Sequence, residues 1–123
     1  MNPEQIKKEW YSRGFSFGVF KDPPGKVWAD FVHMTDELVV LAEGKIEIII
    51  EGNSQQPAIG YEVLIPANAI HTVRNIGQTN NVWYYGYADK GKNILTLTLI
   101  KLKYFSRVSQ VILKNYLQYL AYD

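Results

Sequence analysis

The sequence predicts an all-β domain, a barrel or sandwich built from short antiparallel strands. Short apolar or alternating segments recur through residues 15–87, and Gly, Pro and Asn residues interrupt them. The gaps between these segments are too short for the helical crossovers that parallel strands require. With 47% hydrophobic and 14% aromatic residues, the chain of 123 residues has the composition of one packed domain.

Strand periodicity gives the order of the elements. In residues 45–51 the side chains of Ile46, Ile48 and Ile50 share one face, as alternation in a strand requires. Turn residues stand at 22–25, 43–44 and 52–53. The predicted strands are 15–19, 26–33, 37–42, 45–51, 61–65, 71–75, 82–87 and 94–99.

The two ends of the chain differ from the middle. Residues 1–14 predict a short helix, since Asn2 suits its N-cap and Gly14 suits its end. Ile6 and Trp10 form an apolar stripe that we expect to cover the barrel.

We divide residues 1–123 into one domain with three parts. Residues 1–14 are the N-terminal helix, 15–87 the barrel core and 88–123 a C-terminal extension. Apolar residues recur at near-helical spacing through 109–122, which predicts a C-terminal helix on the barrel or on a second copy of the chain.

Charge and composition exclude several classes of function. With 13 basic and 12 acidic residues the net charge is +1, too balanced to attract nucleic acid or an acidic membrane. The chain has 0 Cys, which excludes disulfides, thiolate nucleophiles and Cys-ligated metals. No segment suits a signal peptide or a membrane-spanning helix, so we expect a cytoplasmic protein. Any histidine chemistry must use His33 or His71, because these are the only 2 His.

Both histidines fall within a pair of spaced motifs that resemble those of the cupin superfamily, in particular its small single-domain members. The first motif, G-x5-H-x-H-x3-E-x6-G, and the second, G-x5-P-x-G-x2-H-x3-N, fit without a gap. Eight of the ten motif positions carry the expected residue, and Phe31 and Asn68 are the two departures. The matching positions are Gly25, Phe31, His33, Glu37 and Gly44, then Gly60, Pro66, Asn68, His71 and Asn75.

The resemblance implies a jelly-roll β-barrel with a metal site inside it, held by His33, Glu37 and His71. Two imidazoles and one carboxylate suit a divalent ion such as Fe, Zn, Mn or Ni, and leave positions open for water or substrate. Phe31 replaces the family's first His, so four ligands become three and we expect weaker binding. Asp36 has the opposite parity from Glu37, and we expect it in a turn or in solvent.

Each of these residues also has an ordinary structural interpretation. Either histidine taken alone could be a hydrogen-bonded core residue, and Glu37 could be a solvated residue at the end of a strand. We expect a small-molecule pocket lined by Phe31, Trp28, Met34 and Tyr85, and ordinary barrel packing is the alternative.

Three functions remain open from the sequence. The first is a metal-dependent enzyme acting on a small molecule, for which Tyr61, Tyr85 and Glu43 are the acid–base candidates outside the ligand set. The second is a sensor or carrier barrel that binds a small molecule with weak metal affinity or none. The third is a structural dimer whose metal stabilises the fold. We expect a homodimer in each case, because an open sheet edge needs to be covered.

Overall fold

A computed structural model describes residues 1–88 and the four residues Val111, Lys114, Asn115 and Gln118. One helix precedes eight strands along residues 1–88. The elements are α1 (Pro3–Ser12), β1 (Gly18–Asp22), β2 (Val27–Phe31), β3 (Glu37–Glu43), β4 (Ile46–Ile50), β5 (Asn53–Gln55), β6 (Glu62–Ile65), β7 (His71–Asn75) and β8 (Asn81–Tyr87).

The strands form two four-stranded sheets, in the orders β1-β8-β3-β6 and β2-β7-β4-β5. Every pairing within the sheets is antiparallel. Apolar side chains from both sheets meet in one buried cluster, which we call the inner core. The predicted all-β antiparallel fold is confirmed. The inner core consists of Val39, Leu41, Ile46, Ile48, Val63, Ile65, Val73, Trp83 and Tyr85.

Helix α1 covers the outer face of the first sheet. Asn2 caps it by accepting hydrogen bonds from the backbone N–H groups of Glu4 and Gln5. Gly14 follows the helix at a φ of 83°, a conformation that Gly adopts readily. Trp10 is buried against Leu38, Val40 and Tyr84, and we call this group the outer core. The expected role of the helix as a cover is confirmed.

The alternation predicted for residues 45–51 is present. Ile46 and Ile48 are fully buried in the inner core, and Ile50 packs against it. Strand β5 was not predicted, because the sequence indicates only a turn after Glu51. Strand β1 also begins later than predicted, since Phe15 makes an isolated bridge with Ala88 instead of opening a strand.

The C-terminal predictions have two outcomes. Val111, Lys114, Asn115 and Gln118 are helical, in agreement with a helix over 109–122. The predicted strand 94–99 lies outside the described residues. None of the helices in the described part of the chain is long and apolar enough to cross a membrane.

Candidate metal centre

A buried cluster of two histidines and one glutamate joins the two sheets. Glu37 is the first residue of β3 and His71 the first of β7, so they belong to different sheets. His33 lies in the connection between β2 and β3. The side chains of His33, Glu37 and His71 are 10%, 6% and 2% exposed. The fold thus brings together the three residues that the motifs assign to a metal site.

The distances within the cluster suit a common ion. Oε1 of Glu37 lies 3.4 Å from Nε2 of His33 and 3.4 Å from Nε2 of His71. The candidate ligand atoms of the three residues all lie within 4.8 Å of one another. Two atoms about 2.1 Å from one metal ion are roughly 3.0–3.4 Å apart at octahedral or tetrahedral angles. The two carboxylate–imidazole pairs match this separation, and the two imidazole nitrogens would move closer together around a bound ion.

A backbone carbonyl sets the orientation of His71. Its Nδ1 lies 2.9 Å from the carbonyl oxygen of Ala69, which can only accept, so Nδ1 carries a proton and donates it. The other nitrogen, Nε2, faces Glu37. A lone pair on Nε2 would face the lone pairs of the carboxylate, which is favourable only with a positive charge between them. Either a proton or a metal ion meets that need.

The pKa shifts of Glu37 and His71 also indicate that positive charge stabilises the cluster. Burial alone would raise the pKa of Glu37, but the charge of His33 and hydrogen bonds from both imidazoles lower the pKa to about 2. Burial lowers the pKa of His71, and the hydrogen bond and charge of Glu37 outweigh it, so the pKa of His71 is raised. Glu37 is therefore ionised at neutral pH, and a bound metal competes with protons on the imidazoles.

The cluster opens into a cavity with about 50 Å³ of space for the centres of water-sized molecules. One water needs roughly 10–15 Å³ by this measure, so the cavity has room for a few waters or a small ligand. Its wall is mainly aromatic. The aromatic lining residues are Phe20, Trp28, Phe31, Trp83, Tyr85 and Tyr87.

The predicted pocket residues lie in different places. Phe31, Trp28 and Tyr85 line the cavity, whereas Met34 is not among the described residues that line it. Met34 lies in a bend of the connection between β2 and β3. Of the other acid–base candidates, Tyr61 is 62% exposed on the outside, and Glu43 is exposed at the end of β3.

Phe31 occupies the position where the resemblance leads one to expect a fourth ligand. It ends β2 and pairs with His71 in the sheet register. Its ring centroid lies 6.2 Å from the ring of His33 and 6.2 Å from that of His71. One side of the cluster is therefore an apolar ring edge instead of an imidazole nitrogen.

An irregularity in β2 explains why both Trp28 and Phe31 face the cavity. Strict alternation would place residues three apart on opposite faces of the strand. The register shifts between these two residues, and Asp30 has a φ of 58°. The backbone N–H of Asp30 donates to Oγ1 of Thr72 at 3.2 Å, which holds the bulge against β7.

Two of the motif's turn positions behave as their residue types indicate. Asn68, which replaces the usual Gly, has a φ of 65°, and Asn tolerates this region better than most residues. Asn75 donates from Nδ2 to the carbonyl of Thr79 and accepts from the N–H of Gly77, so it closes its loop. Asp36, expected in a turn or in solvent, is instead half-buried just before β3 and accepts from the N–H of Ala67, 31 positions along the chain.

The sequence analysis missed Tyr87, whose hydroxyl lies 3.5 Å from Nε2 of His33. Tyr87 follows Tyr85 by two residues and shares its face of β8, so the alternation contained the signal.

It also missed Asn115 and Gln118, which line the cavity from the C-terminal part of the chain. Nδ2 of Asn115 donates to the carbonyl of Val32 at 3.2 Å. No pattern in the sequence indicates that Asn115 approaches Val32.

Comparison with solved structures gives several matches to cupins. The cupin domain of Cnp3 from Schizosaccharomyces pombe matches with a TM-score of 0.56 at 21% identity, over 61% of this chain and 56% of that one. The Cupin_2 domain of an XRE family transcriptional regulator from Enterobacter cloacae gives 0.56 at 20% identity, over 63% and 85%. The chain has the cupin fold. A predicted oxalate decarboxylase from Thermotoga maritima matches this fold with a TM-score of 0.55 at 18% identity, over 66% and 72%.

The likeness is one of fold. No protein-family model matches the sequence, and no curated protein matches it. The chain spans little more than half of the Cnp3 domain, at 56% of its length. The jelly-roll barrel implied by the motifs is confirmed, and the cupin fold places the His–Glu–His cluster inside it.

Proposed function

We propose that this cupin-fold protein binds a divalent metal ion through His33, Glu37 and His71 and binds a small molecule beside it in the barrel. The observation that carries the proposal is the pair of imidazole nitrogens, each 3.4 Å from the same buried carboxylate oxygen. A buried arrangement of this kind needs a cation at its centre. A metal ion meets that need at a pH where the imidazoles have lost their protons.

The donor set limits the class of metal. Two imidazole nitrogens with one carboxylate oxygen suit Fe, Zn, Mn or Ni, whereas Ca²⁺ and Mg²⁺ prefer oxygen alone. Three protein ligands leave open coordination positions, at which a bound metal supplies Lewis-acid or redox chemistry. Phe31 keeps one side of the cluster apolar and excludes water there.

The chain's own groups suit small-molecule binding at this site. Aromatic rings line much of the cavity, and the hydroxyl of Tyr87 lies close to His33, where it can donate to or accept from a ligand. Ala69 fixes the tautomer of His71 and so keeps Nε2 directed at the ion.

The second candidate is a sensor or carrier that binds its ligand without catalysis. The aromatic lining and the Phe31 ring favour it, since both reduce the number of polar groups around a ligand. The matched structures include a predicted decarboxylase and a domain of a transcriptional regulator, so they support both candidates equally. The cytoplasmic location, the homodimer and the absence of nucleic-acid binding stay predictions.

Metal titration by calorimetry tests the proposal. We expect one ion per chain for the wild type and no measurable binding for His71→Ala, which removes a ligand. Glu37→Gln should weaken binding at least about tenfold. Glu62→Gln is the matched control because Glu62 accepts from Trp10 and Arg13 outside the inner core, and its affinity should equal the wild type's.

Phe31→His tests the same site in the opposite direction. A third imidazole in place of the ring, whose centroid lies 6.2 Å from each of the other two, would supply a fourth ligand and should tighten metal binding. If first-row metals do not bind the wild type at micromolar concentration, the proposed function is wrong. If His71→Ala binds as well as the wild type, the ligand set is wrong.

A further inference from the structure

The cavity has a second end, away from the cluster, whose walls are aromatic. Trp83 lies four residues before Tyr87 on β8, about 13 Å along the strand. The ring of Phe20 packs between the rings of Trp28 and Trp83, with centroid distances of 5.1 and 5.2 Å. Tyr85 continues this wall at 5.8 Å from Trp83. We call these four residues the aromatic end of the cavity.

A buried carboxylate stands behind the aromatic end. Asp22 is 2% exposed, and its Oδ2 accepts from Nε1 of Trp28 at 3.3 Å and from Nε1 of Trp83 at 3.2 Å. Its other oxygen, Oδ1, is buried with no hydrogen-bond partner in the described part of the chain. An indole that donates to a carboxylate carries more negative charge on its ring face, so Asp22 makes both rings better partners for a cation.

The charge around the cavity favours the same kind of ligand. Of the described residues that line the cavity, none is Lys or Arg. Glu37 lies at one end and Asp22 behind the other, and a metal ion on Glu37 would leave the charge of Asp22 without a buried counterpart. Burial raises the pKa of Asp22, while hydrogen bonds from the indoles and the charge of Lys26 oppose this.

A cation already rests near one of these rings. Nζ of Lys26 lies 4.4 Å from the ring centroid of Trp28. Lys26 is exposed and is not among the residues that line the cavity. The distance is within the range of about 6 Å for cation–π attraction, so the Trp28 ring already has a cation as a neighbour outside the cavity.

We propose that the aromatic end of the cavity binds a small organic cation of the alkylammonium class. The indole faces attract the cationic head group, and Asp22 supplies the long-range negative charge. The small volume limits the head group to a compact one, such as a methylated ammonium. This names the class of the small molecule in the proposed function and rests on that function only for the metal ion beside the ligand.

Calorimetric titration with choline and its neutral isostere, in which carbon replaces the ammonium nitrogen, tests the proposal. The two molecules have the same shape, so a difference in affinity reports the charge. We expect choline to bind at least about tenfold more tightly, both in chelator-treated and in metal-loaded protein. Equal affinities, or no binding of choline, would overturn the proposal.

Asp22→Asn removes the charge and keeps the size and one acceptor oxygen. We expect choline affinity to fall by about tenfold and the affinity of the isostere to stay within about twofold. Asp30→Asn is the matched control, because Asp30 is exposed and Asn tolerates its positive φ. It should bind choline like the wild type.

Further variants distinguish the aromatic end from the His–Glu–His cluster. Trp28→Phe keeps a ring without the indole N–H and should weaken choline binding even if Asp22→Asn does not fold. If Glu37→Gln removes the preference for choline and Asp22→Asn keeps it, the cation binds at the cluster and the proposal is wrong. Failure of metal to bind with the choline preference intact would instead refute the proposed function alone.

Discussion

The two faces of the first sheet are packed in different ways. Along β3, Leu38 and Val40 point outward into the outer core, while Val39 and Leu41 point into the inner core. The outer core is sealed by Trp10 of helix α1, which is 1% exposed. The inner core leaves a cavity and accommodates three ionisable side chains at one end.

This difference in packing assigns stability to the outer face of β3 and ligand binding to its inner face. The outer core is mostly apolar, and the indole Nε1 of Trp10 donates to Glu62 at 2.9 Å. A close-packed interior of this kind stabilises a fold but leaves no room for a ligand. The inner face is packed less tightly and contains buried charged groups. Ionisable groups with shifted pKa values are typical of binding and catalytic sites.

Trp10→Ala removes the residue that seals the outer core and should have the largest effect. We expect a loss of about 3–5 kcal/mol in the free energy of unfolding, measured by urea denaturation. Tyr11→Ala on the exposed side of the same helix should cost less than about 0.5 kcal/mol. Where Trp10→Ala remains folded, metal affinity should equal the wild type's, and a large loss of affinity would show that the two faces are coupled.

Two equally buried valines allow a matched test of packing on the two faces. Val40 in the outer core and Val73 in the inner core are both 4% exposed. Val40→Ile adds a methylene to a buried side chain that does not line the cavity, and should lower the free energy of unfolding by about 1–3 kcal/mol. Val73→Ile adds it to the cavity wall and should raise the free energy by about 0.5–1 kcal/mol.

Thermal and urea denaturation of both variants give the two values. Equal destabilisation would mean that the inner core is as tightly packed as the outer core. Val73→Ile should also weaken the binding of any ligand that fills the cavity, whereas Val40→Ile should leave it unchanged.

Local patterns in the sequence predicted the strands and the cluster, because both depend on residue spacing. The alternation of Ile46, Ile48 and Ile50 placed β4 correctly, and the spacing of the motifs picked out His33, Glu37 and His71. Strand β5 was missed because Asn53–Gln55 is short, polar and exposed, so its pairing with β4 leaves no apolar pattern.

Other features depend on contacts that no local pattern encodes. The bulge that turns Trp28 toward the cavity requires a positive φ at Asp30, a residue with no Gly-like signal. The shared hydrogen bonds of Asp22 join residues 61 positions apart in the chain. The hydrogen bond from Asn115 to Val32 likewise joins residues far apart, 83 positions along the chain.

The smallest expected effect concerns the carboxylate that anchors helix α1. Arg13 donates to both carboxylate oxygens of Glu62, at 2.8 and 2.9 Å. The hydrogen bond from Arg13 lowers the pKa of Glu62 below its ordinary value of 4.5, against the opposing effect of burial. A carboxyl group with a lowered pKa stabilises the fold above its unfolded pKa and loses that contribution as the pH falls through the folded value.

Urea denaturation of the wild type and Glu62→Gln between about pH 6 and pH 3 isolates this contribution. The wild type should lose more free energy of unfolding than the variant as the pH falls below 4.5. Because the Glu62 side chain is 34% exposed, solvent screening keeps the difference below about 1 kcal/mol. Parallel curves would show that Glu62 does not stabilise the outer face through its charge. Glu37 on the inner face has a pKa of about 2, so it titrates mainly below this pH range. The difference between the two curves therefore reports Glu62.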